Sequence, residues 1–249
     1  MNRIILFFCF AWWLQFSELF AQEKPALLLD FNYGIGLPLQ DLSERFGNHL
    51  VLGAGATYQP ARNWINFGAR FSYFFGSQVD ENVLKPFQTS YEGLLIGSDQ
   101  YLSELKLRER GYFMQLYCGG LVSIGSQEKA RQSIKLQLGA GFIQHHIRFV
   151  DDARALNQFT TEYLQGLDRL SNGFAIIPFI GYEYISRKNW LSFYSGIDPV
   201  FGFTKNQRKL NYDTNQSEYG INRNDFLINF KMGIYLPFYL GNTGEEIEY

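Results

Sequence analysis

Histidine titrates nearest neutrality, so the adjacent His145 and His146 are the first residues of this sequence to weigh for chemistry. On an extended segment neighbouring side chains point to opposite faces, and the two rings cannot converge on one metal. As a general base, one of them would stand at the outer edge of a sheet beside Ser171 or an acid such as Asp151 or Asp152. Such a pair could deacylate an ester or cut a peptide. Nothing else in the chain supplies a reaction centre. There is no Walker A loop, no dinucleotide-type GxGxxG between strand and helix, no CxxC and no HExxH, and no cofactor or metal is expected. Gly34-Ile35-Gly36 is a lone GxG inside a strand pattern and signals tight packing.

A second set of residues has the right spacing for a buried electrostatic network. Three acids (Asp30, Glu183, Asp198) and three bases (Arg70, Lys135, Lys231) fall on the polar side of alternating segments. Inside a narrow cylinder such charges pair and hold strands in register, because an unpaired buried charge is costly. The alternative is a proton or ion path. A third set, Lys205, Arg208 and Lys209, could touch lipopolysaccharide phosphates or a partner, or form an ordinary solvated loop face.

The elements that would position these residues are strands. From Phe226 every second residue is apolar (Ile228, Phe230, Met232, Ile234, Leu236, Phe238, Leu240), while Asn229, Lys231, Gly233 and Tyr235 take the other face. Leu27 to Ile35 alternate with Asp30, Asn32, Gly34 and Gly36, and Ile65, Phe67, Ala69, Phe71 and Tyr73 with Asn66, Gly68, Arg70 and Ser72. Weaker versions recur at residues 52–58, 112–119, 134–142, 174–184 and 191–198, making eight. An apolar stripe against a Gly-rich, charge-poor face inverts the soluble pattern and fits strands with lipid outside and a polar lumen within. Eight is an even count, as a single-chain bacterial barrel requires. The fold class expected is therefore an all-β, antiparallel up-and-down transmembrane barrel of about eight strands.

Connections alternate between short (60–63 and 187–189 tight, 125–133 modest) and long (40–49, 77–110, 151–172, 205–223), as when short turns line one rim and surface loops the other. Trp64 and Trp190 follow tight turns and would join an aromatic girdle on the inner rim. Residues 151–170 carry Leu156, Phe159, Tyr163, Leu164 and Leu167 at helical spacing, predicting a short helix in an outer loop. Pro178 and Pro199 remove ladder donors within two strands, predicting a bulge or strand end beside them.

Composition agrees. Of 249 residues 18% are aromatic and 18% charged, and the formal charge of -2 excludes the basic field of a nucleic-acid binder. Arg3 followed by the apolar run 4–20 and by Leu19-Phe20-Ala21-Gln22 reads as an export signal over residues 1–21, leaving 22–249 as the barrel. With Cys9 removed in the signal, Cys118 has no intrachain disulfide partner.

The signal end Leu19-Phe20-Ala21-Gln22, the segments GFIQHHIR (141–148) and GLDRLSNG (166–173), and the closing GIYLPFY (233–239) together resemble the small outer-membrane β-barrel proteins common in Bacteroidota. The resemblance implies an outer-membrane address, with outer-membrane lipid, lipopolysaccharide and other envelope proteins as partners. It also implies an accessory role in a secretion or barrel-assembly complex. An outer-leaflet lipid-modifying or proteolytic enzyme and a narrow channel are the alternatives.

Overall fold

The computed structural model describes residues 25–61, 64–89, 93–124, 130–186 and 192–240. The expected export signal over 1–21, Trp190 and the polar tail from 241 lie outside them. Eight strands close into one antiparallel barrel. They are β1 (Ala26–Gln40), β2 (His49–Gln59), β3 (Ile65–Gly76), β6 (Lys106–Ser123), β7 (Ala130–Val150), β8 (Ser171–Ser186), β9 (Ser192–Asn206) and β10 (Asn222–Tyr239). Each pairs with its neighbour in sequence, and β10 closes on β1 from Ala26↔Tyr239 to Gln40↔Asp225. The long 77–105 connection carries a small hairpin of its own, β4 (Leu95–Ile96) and β5 (Leu102–Ser103). No described helix is long and apolar enough to cross a membrane.

The alternation translates directly into two faces. Outward residues such as Leu116 (73% exposed), Met232 (67%) and Leu138 (59%) form a belt around the cylinder. On β7 the belt runs from Ile134 to Phe142, roughly 20 Å along the axis for strands tilted by about 40°. Water does not stabilise so large a continuous apolar surface; hydrocarbon does. The strands, of 11 to 21 residues, are longer than the ~10 a bilayer needs. They therefore carry the sheet beyond the belt on the long-loop side.

Glycine on the inward face has a specific use. Gly181 and Gly196 face each other across β8–β9, and a Cβ on either would lie 2.6 Å from the Phe179 ring. The tip of the ring packs against bare backbone, which only glycine allows.

The interior is not polar throughout, contrary to the expected polar lumen. The charges share the short-turn half with Leu28, Phe179, Ile185, Tyr194 and Tyr235. Above them Val51, Phe74, Phe113, Ile143, Val200 and Leu227 form an apolar storey. It continues into the loops through Leu42, Phe46, Val83, Leu84, Leu156 and Leu167, so that the long connections fold inward and stopper the cylinder.

The 151–170 connection contains the short helix expected, a single turn α1 (Thr161–Gln165), capped by the Thr160 hydroxyl accepting from the Tyr163 amide. The rest of its apolar spacing serves the stopper. Asp151 accepts from the Leu156 amide and Asp168 from the Leu170 amide, and such side-chain turns compete with helix. One further expectation needs correction, that for the two prolines. Pro178 and Pro199 make neither a bulge nor a strand end. Pairing on β8–β9 stops after Ile176↔Phe201 and resumes at Ile180↔Ile197 in the same register, so the two prolines fall opposite each other. The β7–β8 and β9–β10 ladders run through unbroken. Both missing donors therefore face one seam. An apolar groove of about 680 Å³ lies over it on the outward face, lined by Trp64, Phe67, Leu136, Leu138, Pro178 and Pro199 among others.

Candidate functional site

The six charges picked out by spacing all point inward from six different strands and are at most 3% exposed. Asp30 lies 3.5 Å from the Arg70 guanidinium and accepts from Tyr194 (2.7 Å) and Asn32 (3.1 Å). Arg70 sits among three rings, its guanidinium carbon 5.0 Å from the Tyr117 centroid, 5.6 Å from Tyr194 and 5.7 Å from Phe179. Lys135 donates to Tyr235 (2.7 Å) and stands 3.4 Å from Glu183, which also accepts from Arg131 (2.8 Å). Lys231 donates to Asp198 (2.5 Å) and Ser72 (3.3 Å) and lies over the Phe113 ring. Every base thus has an acid and an aromatic face. In a dry interior both are needed, because one ion pair alone does not offset the desolvation of two charges.

His145 and His146 part as strand geometry requires. His145 is inside the barrel and fully buried. Its Nε2 lies 2.8 Å from Asp225, which also accepts from the Thr204 hydroxyl. The acid is therefore Asp225 of β10, not Asp151 or Asp152: Asp151 caps Leu156, and Asp152 accepts from Lys106 at 2.7 Å. Ser171 does face His145 across β7–β8, but its hydroxyl donates to the Arg169 carbonyl and accepts from Arg45. A nucleophile needs its proton within reach of the base and a path for substrate. This serine's proton is committed elsewhere, and neither side chain reaches the surface. A second buried pair, His49 with Glu109 at 3.3 Å, stands at the same rim. His146 faces outward, opposite Arg110. Among the described residues no three His, Cys, Asp or Glu side chains are grouped to hold a metal.

Spacing did not single out the residues that lock the long loops together. Arg45 pairs with Glu81 (2.8 Å) and Glu218 (3.6 Å), and Arg169 with Glu81 and Asp213 (2.6 Å each). One chain of charges thereby joins all four long connections. Burial opposes the charge on Arg169, yet its hydrogen bonds to Asp213 and Glu81 raise its pKa above the ordinary arginine range. At Arg45 burial wins and the pKa is lowered. Arg208 is held by both carboxylate oxygens of Asp168, so the Lys205, Arg208 and Lys209 cluster does not act as one free basic patch. Strand parity could have revealed Asp225 and Glu109, which continue the inward registers of Leu227 and Phe113. Nothing local marks Glu81, Arg169 and Asp213.

No protein-family model matches the sequence, and no curated protein does. Solved structures of related shape include neisserial surface protein A (10% identity, 86% of this chain and 99% of that one, TM-score 0.42). Others are Ail of Yersinia pestis with sucrose octasulfate (10%, 86% and 100%, TM-score 0.40) and the N-terminal barrel domain of Pseudomonas aeruginosa OprF (9%, 86% and 100%, TM-score 0.37). The barrel assignment rests on the closed ring of strands itself.

Proposed function

We propose that this chain is exported by its first 21 residues and inserted in a bacterial outer membrane. There it serves as a solid, non-conducting barrel that presents an interlocked loop surface to other envelope components. Its immediate partners are outer-membrane lipid and lipopolysaccharide. The protein partner is an envelope protein, with the chain an accessory subunit of a secretion or assembly complex. One observation carries the reading. The lumen is filled from the charged storey through the apolar storey to the loop stopper, and its charged side chains are buried. A water path would wet those groups, and an enzyme at His145 would need a route to it.

Two measurements test this. Planar-bilayer recordings of the full mature chain are expected to show no discrete conductance; reproducible unitary steps would overturn the solid-barrel reading. Mild-detergent purification from native membranes is expected to retain a stoichiometric envelope protein, and isolation of the chain alone would overturn the accessory role.

A further inference from the structure

We propose that the outward face of the β6–β7 ribbon at the long-loop rim binds the phosphorylated headgroup of an outer-leaflet glycolipid, through Arg108, Arg148 and Arg110. The inference rests on the membrane reading above and names a site for its lipid partner.

Strand register puts the basic residues together. Going outward along the ribbon, the outward-facing pairs are Met114↔Phe142, Tyr112↔Gln144, Arg110↔His146 and Arg108↔Arg148. The apolar belt therefore ends in one polar pair, and two basic rows follow within about 10 Å, the depth of a headgroup layer. Arg108 and Arg148 are directly opposite, where Cβ atoms stand about 5 Å apart and like charges repel. No described carboxylate lies within ion-pair distance of either. Three nearby acids are engaged elsewhere, Asp152 with Lys106, Asp168 with Arg208, and Glu109 inside the barrel with His49, while Glu104 lines the cleft beside Arg108 without an ion pair to it. Arg110 is steadied over the Phe75 ring, with its Nη1 donating to the Glu109 carbonyl, and its strand position faces outward. An anion held between Arg108 and Arg148 converts the repulsion into two charge-assisted contacts. A phosphate oxygen set matches such forks.

Two features select a membrane-borne glycolipid over a soluble phosphate. The arginines stand directly above the belt that acyl chains cover, so headgroup and tails are engaged on one continuous surface. Arg108 and Lys106 also line an open polar cleft of about 440 Å³ with Ser77, Asn82, Gln88 and Glu104. Its donors and acceptors suit sugar hydroxyls.

The test uses the full mature chain in phosphatidylcholine nanodiscs containing either bisphosphorylated lipid A or its dephosphorylated form, with native mass spectrometry counting retained glycolipid. The phosphorylated form is expected to be retained preferentially. R108Q/R148Q should lower that retention about thirtyfold, the factor for two basic groups at an anionic lipid surface. R108K/R148K, keeping charge but not the fork, should fall between. Both positions face outward, and heat-modifiable gel mobility verifies that the variants fold. Equal retention of the two lipids, or no effect of the glutamine variant, overturns the site. Full displacement by an equimolar acyl-free bisphosphorylated glucosamine disaccharide overturns the lipid source in favour of a soluble ligand. A chain that fails to enter the nanodisc sinks the membrane reading and the site with it, whereas insertion with phosphate-blind retention sinks the site alone.

Discussion

Lys231 and Asp198 illustrate what a single side chain carries in this interior. Both are fully buried, and each neutralises the other. Lys231→Met leaves Asp198 charged without a partner and should cost about 3–5 kcal/mol, read as a lower urea midpoint in detergent. Adding Asp198→Leu should return most of that loss, because the pair as a whole gains little over apolar packing. Recovery no better than the single variant would show that the pair is not the unit. The charges themselves were legible in sequence, because a period of two assigns Asp30, Arg70 and Lys231 to one face without further information. Their partners were not. Tyr235 lies 100 residues from Lys135, and Asp225 lies 80 from His145. Only closure of the cylinder brings such residues together, whereas Asp151 and Asp152, the acids near in sequence, face other tasks.

At the level of elements, the β8–β9 seam is held by fewer backbone bonds than its neighbours, for a reason written in the sequence. Replacing Pro178 and Pro199 together by valine restores two donors to one seam. The new bonds, offset in part by the looser unfolded chain, should raise stability by about 1 kcal/mol. Hydrogen exchange should then find both valine amides protected; free exchange there would place the donors on another edge. The loops follow different rules. Leu167, fully buried in the stopper, should cost about 2–5 kcal/mol on truncation to alanine and make the 151–170 connection cleavable by protease. Intact resistance would mean that the salt bridges alone hold the loops. Leu156, Phe159, Tyr163, Leu164 and Leu167 keep helical spacing, yet only the turn at Thr161–Gln165 is helical. They answer to a shared apolar centre fed by three of the four long loops.

For the whole molecule, the outward belt predicts that the mature chain disperses as a folded monomer only with detergent or lipid. Sedimentation as a soluble monomer in plain buffer would mean that the belt is covered by protein. Strand number and topology were readable because lipid and lumen impose opposite demands on successive residues. The stoppered outer half was not, because Val51, Phe74, Phe113, Ile143, Val200 and Leu227 face inward and are apolar, so there both faces look alike. The pairing of Ala26 with Tyr239 has a separate consequence. The ends of the ring are neighbours on one rim, so a brief peptide bridge between them, with a new opening cut in any surface loop, would leave every rung of the cylinder in place. The order in which the strands are written along the gene is thus a matter of where the circle was broken, and a circularly permuted chain should build the same wall.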